Sequence, residues 1–133
     1  MEFIAKSPRD TQRFGEALGA AFQPGDLILL YGDLGSGKTT LVQSLAHGIG
    51  VKTNEYISSP SFTLINEYQG RYPVFHIDLY RIDSPNELEH LGLEEIIFCK
   101  GAVTFIEWPE KLILPDTQTL LFGIKSRLEI YIE

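Results

Sequence analysis

The spacing of apolar positions switches along the chain between helical and strand periods. Phe14, Leu18, Ala21 and Phe22 share one face at helical spacing. Ser7-Pro8 precedes them as N-cap and first helical residue, and Gln23-Pro24-Gly25 ends the segment. The pattern predicts a packing helix laid over a sheet. Leu27–Tyr31 is apolar throughout, as expected of a central strand covered on both faces. Leu41, Val42, Leu45, Ala46 and Ile49 return to the helical period, with Gly48 or Gly50 as the stop.

Farther on, Phe62, Leu64 and Tyr68 alternate as in a strand. A second run, Val74–Asp78, follows the Gly-containing turn Gln69–Pro73, so the two predict an antiparallel hairpin. Ser84-Pro85 opens a short helix closed by Gly92, and Leu93–Phe98 continues as another helical segment. Ala102–Glu107 is a further strand, and Leu112–Pro115 a loop. Leu120–Phe122 and Leu128–Ile132 read as a final hairpin around Lys125–Arg127, with Arg127 as a turn cation. The 133 residues, 44% hydrophobic and 22% charged, suit one compact domain over 1–133.

Between the first strand and the second helix lies Gly32–Thr39, GDLGSGKT, which matches G-x-x-x-x-G-K-[ST]. Strand, glycine loop and helix form the context that a phosphate-binding loop requires. Glycines let successive N–H groups converge on phosphate oxygens, and the following helix dipole points its positive end at the same anion. Leu34, Gly35, Ser36, Gly37, Lys38, Thr39 and Thr40 are the candidate nucleotide-binding residues. Lys38 supplies a mobile positive charge to the outer phosphates, a binding and a catalytic role together, and the Thr39 hydroxyl is placed to ligate Mg²⁺. The fold class expected is α/β: a P-loop nucleotide-hydrolase-like three-layer sandwich, its mixed sheet carrying antiparallel hairpin elements and flanked by helices.

A hydrolytic site also needs a carboxylate at a strand's C-terminal end, where ligands collect in open α/β sheets. Two strands qualify, ending in Asp78 and Glu107, and spacing leaves open which acid holds the metal. His76 alternates with Asp78 and shares its face, with a structural or hydrogen-bonding role expected. Arg81 can pair with the acid before it or reach a phosphate, and Trp108, directly after Glu107, can pack in the core, lie near the nucleotide or form a partner-facing surface. The Ser7–Thr11 segment is a candidate neighbour for the base. Cys99, the single cysteine, excludes an internal disulfide and is expected to be buried.

Charge narrows the partners. Lys and Arg number 11 against 18 Asp and Glu, a net charge of −7. A chain so acidic does not hold a nucleic-acid backbone by itself, because that binding depends on cations neutralising phosphates. No apolar run reaches the length of a membrane span, and MEFIAKSPRD lacks a signal-peptide core, so a cytoplasmic protein without membrane contact is expected.

GDLGSGKTT, SPSFTLINEY, HIDLYRI, SPNELEHLGL and FIEWPEKL, in this order, resemble the TsaE (YjeE) family, over about Phe14 to Pro115. The resemblance implies a small P-loop ATPase, using ATP and Mg²⁺, that supports threonylcarbamoyladenosine synthesis at position 37 of tRNA. It implies action with the TsaD and TsaB proteins, with tRNA met only through that complex, and weak or partner-dependent hydrolysis. It also assigns the acids: Glu107 of EWPE matches the Mg²⁺ ligand, and Asp78 of HIDLYR matches the acid implicated in hydrolysis. Ser58–Thr63 matches a switch-like loop, with Ser61 where many members have Thr. Two competing classes remain. A small-molecule or nucleoside kinase would need an Arg-rich lid, whereas Arg occurs only at 9, 13, 71, 81 and 127. A GTPase switch would carry Asn-Lys-x-Asp, which is absent from the sequence.

Overall fold

The computed structural model describes residues 4–33, 35–52, 65–83, 87, 92–97, 99–112 and 127–132. The chain begins with helix α1 (Pro8–Ala21), strand β1 (Leu27–Tyr31) and helix α2 (Lys38–Ile49). Strands β2 (Ile65–Gln69) and β3 (Pro73–Asp78) follow, then short helix α3 (Leu93–Ile97) and strand β4 (Val103–Glu107). A 3₁₀ turn (Pro109–Leu112) and strand β5 (Arg127–Tyr131) complete the described elements.

The strands form one mixed sheet in the order β2-β3-β4-β1-β5. β1 runs parallel to β4 and β5, and β3 parallel to β4, while β2 pairs antiparallel with β3. The expected hairpin at Gln69–Pro73 is therefore present. Its Phe62 and Leu64 positions lie outside the described residues, as do most of the Ser84–Gly92 helix and the Leu120–Phe122 run. The second half of the expected final hairpin is strand β5, which joins the sheet parallel to β1, Leu27 facing Arg127, and is its last strand among the described residues. Arg127 thus begins a strand rather than sitting in a turn.

Strand alternation divides the core into two layers. Ile28, Leu30, Val74 and Phe105 face α1 and α2, whereas Leu27, Leu29, Ile77 and Ile106 face α3 and Leu112. Both faces of β1 and β4 are covered, so β1 is apolar along its length and β4 admits only Thr104 and the strand-end Glu107 as polar residues. Burying each such side chain contributes about 1.5–3 kcal/mol.

Helix α1 departs from the simplest expectation. Phe14, Leu18 and Phe22 do reach the core, but Ala21 is exposed and the helix closes mainly on α2. A Cβ on Gly19 would lie 2.1 Å from the Leu45 carbonyl oxygen, and one on Gly15 would lie 2.4 Å from Ser44 Cβ. Gly48 answers from α2, where a Cβ would come within 2.3 Å of Glu16 O. The two backbones approach too closely for any side chain at these points. A hydropathy pattern registers apolar side chains and overlooks a contact made by their absence.

Cys99 also differs from expectation: it is exposed, just beyond α3, where its N–H bonds back to Ile96 O at 3.1 Å. Among the described residues no helix is long and apolar enough to cross a membrane.

Candidate functional site

The site begins where β1 runs out. Beyond Tyr31 the chain turns through Gly32, where a Cβ would sit 2.7 Å from Ser36 Oγ and 2.8 Å from Ile132 O. Gly35 and Gly37 have φ of +80° and +98°, left-handed values at which a side chain is strained, and a Cβ at either would meet nothing within 4 Å among the described residues. The loop is thus curled under its own backbone and open above.

Helix α2 starts bare. Its N-cap is Gly37, with no side-chain cap and no acid in the first turn. The first helical hydrogen bond is Leu41 N–H to Gly37 O, at 3.0 Å, so the amides of Lys38, Thr39 and Thr40 have no acceptor within the helix. Ser36 Oγ is buried without a hydrogen-bond partner among the described residues. Such a terminus favours an anion through both its free donors and its dipole.

Lys38, at 5% exposure, points back over the loop. Its Nζ donates to Gly32 O at 2.5 Å and lies 3.7 Å from the centre of the Trp108 ring. Trp108 is the one non-glycine among the described residues with positive φ, at 57°. A bulky residue there is strained, and such strain concentrates at functional sites. The ring is also in tilted contact with Tyr80, 5.0 Å between centroids.

The two strand-end acids are direct register partners, Asp78 on β3 facing Glu107 on β4, and Glu107 in turn faces Leu30 on β1. Parallel strands lie about 4.8 Å apart, so the carboxylates begin as close neighbours beside the strand that feeds the loop. Both are nearly buried, at 6% and 3% exposure. Asp78 Oδ1 accepts from Tyr80 N at 2.9 Å, and Glu107 Oε2 lies 2.5 Å from His76 Nε2.

Gly35, Ser36, Gly37, Lys38, Thr39 and Thr40 therefore cluster at the start of α2, with Asp78 and Glu107 at the same end of the sheet. Leu34 and Thr63 lie outside the described residues, and so does Ser58–Thr63 as a whole. In Ser7–Thr11, Ser7 Oγ and Asp10 are engaged in closing α1. Two contacts escape residue-type reasoning: the Lys38–Trp108 stack and the His76–Glu107 bond. The alternation of His76 with Asp78 gives a partial signal for the second; only the fold brings β4 alongside.

A family model described as threonylcarbamoyl adenosine biosynthesis protein TsaE matches residues 5–132. The chain belongs to the TsaE family. Relatives named tRNA threonylcarbamoyladenosine biosynthesis protein TsaE include one from Synechocystis sp., 42% identical over 118 residues, covering 84% of this chain and 72% of that protein. The Treponema pallidum TsaE is 38% identical over 112 residues, covering 84% of this chain and 81% of its own. The Bacillus subtilis TsaE is 40% identical over 103 residues, covering 77% of this chain and 62% of its own. Among solved structures, Bacillus subtilis YdiB matches with a TM-score of 0.65 and 34% identity, over 80% of this chain and 62% of that one.

Proposed function

We propose that this chain is an ATPase that binds Mg-ATP at Gly32–Thr40 and supports tRNA threonylcarbamoyladenosine synthesis at position 37, acting with TsaD and TsaB in the cytoplasm. The observation that carries the reading is the uncapped start of α2, with Lys38 in its first turn, at the sheet end that holds Asp78 and Glu107. Among the described residues, the buried, unpartnered Ser36 Oγ and the space over Gly35 and Gly37 fit a phosphate chain.

The amides of the loop and of Lys38, Thr39 and Thr40 hold phosphate oxygens, and Lys38 exchanges its bond to Gly32 O for one to an outer phosphate. Thr39 and Glu107 hold the metal, a donor set suited to Mg²⁺, which takes one or two carboxylates and completes its shell from phosphates and water. When bound, the ion supplies neutralisation of the phosphate charge. Asp78, kept in place by the Tyr80 amide, orients the attacking water. Supporting the partner-dependent part is the absence of any arginine among these site residues; a cation supplied to the transferring phosphoryl group is worth ~10³–10⁵ in rate. Net charge −7 supports contact with tRNA through the partners.

The test is ATP hydrolysis by the chain alone and with TsaD and TsaB. Slow turnover alone and faster turnover with the pair are expected, and in Asp78→Asn a loss of hydrolysis with ATP affinity kept within about threefold. Phosphoryl transfer to a nucleoside without partners would establish a kinase instead, and a clear preference for GTP would remove the ATPase assignment.

A further inference from the structure

We propose that His76 is a positioning residue for the metal site: its imidazole holds the Glu107 carboxylate in the orientation that receives Mg²⁺. This role presupposes Glu107 as the metal ligand, as proposed above.

The two side chains are 0% and 4% exposed, with His76 Nε2 2.5 Å from Glu107 Oε2. A carboxylate oxygen accepts, so Nε2 carries the hydrogen and the ring is fixed in that tautomer. The bond is not between register partners. His76 faces Phe105, while Glu107 faces Asp78, so the imidazole reaches diagonally across the β3–β4 pair. It engages one oxygen of a flexible side chain and leaves Oε1 outside the bond.

The two neighbouring acids are therefore held by different means. Asp78 is short and accepts from a backbone amide, Tyr80 N at 2.9 Å. Glu107 is longer by one methylene and takes its orientation from His76. Ligating carboxylates are commonly held by such outer partners, and loss of the partner lowers metal affinity roughly 10- to 100-fold.

Packing alone does not call for a histidine here. Val74, Phe105 and Tyr68 on the same face belong to an apolar cluster that a leucine at 76 would extend. The imidazole instead leaves Nδ1 buried with no partner among the described residues. A polar ring buried with half its hydrogen-bonding capacity unused is a cost that only a task for the other nitrogen offsets.

The test is a titration of the full chain with ATP at increasing Mg²⁺ and in EDTA, using His76→Leu, His76→Gln and Glu107→Gln. In His76→Leu the Mg²⁺ concentration giving half of the affinity gain should rise about 10- to 100-fold, with the EDTA affinity unchanged. His76→Gln, whose amide N–H reaches the Nε2 position, should recover most of that loss. A merely structural role would shift both affinities together with the melting temperature. If His76→Leu does not fold, His76→Asn carries the same expectation, because its shorter amide reaches only the Nδ1 position. The proposal is overturned if Glu107→Gln loses the Mg²⁺ response while the folded His76 variant keeps it, or if Gln fails to recover any of it. A Glu107→Gln variant with a normal Mg²⁺ response would instead remove Glu107 as the ligand, and the role of His76 with it.

Discussion

Helices α1 and α2 pack against one another through glycines, yet their ends are treated differently. At the start of α1, Ser7 Oγ accepts from Asp10 N at 3.2 Å, and Asp10 Oδ2 accepts from Lys6 N at 2.9 Å. At the far ends of both helices, the hairpin turn between β2 and β3 closes the open carbonyls. Arg71 donates to Gly48 O at 3.0 Å and to Ala20 O at 3.4 Å, its own N–H bonds Ile49 O at 2.9 Å, and the Tyr72 hydroxyl donates to Phe22 O. The start of α2 alone has no side-chain cap and no acid in its first turn. Helix ends carry unsatisfied donors or acceptors that need a partner. Among the described residues three ends are closed by the protein itself and the fourth is bare beside a buried lysine, which supports the proposal of an external anion there.

The contrast can be broken at each end in turn. Lys38→Ala acts at the bare end and should have the largest effect, weakening ATP binding roughly 10- to 100-fold, the worth of a charge-assisted hydrogen bond. Its urea midpoint should stay close to that of the parent chain, because among the described residues Lys38 makes one hydrogen bond, to Gly32 O, and one ring contact, to Trp108. Arg71→Ala acts at the closed ends and should do the reverse: a loss of about 1–2 kcal/mol in urea unfolding, with ATP affinity unchanged. Ser7→Ala should cost about 1 kcal/mol by the same measurement, again without an effect on binding. A large loss of ATP affinity in Arg71→Ala would erase the distinction between the ends.

The sequence makes the bare end legible and the closed ends only partly so. Gly32–Thr39 can be read directly as a candidate because its signal is local: the glycines, the lysine and the threonine fall within eight consecutive residues. The Ser7-Pro8 cap is local too, and the structure bears it out. Arg71 is different, since its acceptors are 23 and 51 residues away and depend on where the hairpin folds back. The α1–α2 contact is hidden for another reason: Gly15, Gly19 and Gly48 act through the absence of side chains. The acids fall between these cases. Their position at strand ends follows from apolar runs that stop at Asp78 and Glu107, but their adjacency requires the β3–β4 pairing. The His76–Glu107 bond and the Trp108 ring over Lys38 need that pairing as well, so residue type and spacing alone do not yield them. For the C-terminal run, local pattern gives the strand but not its neighbour: β5 is the parallel partner of β1, while Leu120–Phe122 lies outside the described residues.

The most direct test of the central claim is an equilibrium titration of the chain with ATP in Mg²⁺, repeated with Lys38→Ala. Saturable binding of one ATP per chain, competed by inorganic triphosphate and weakened at least tenfold by the substitution, is the predicted result. An absence of binding, or binding that Lys38→Ala leaves unchanged, would contradict the assignment of the bare α2 terminus as the nucleotide site.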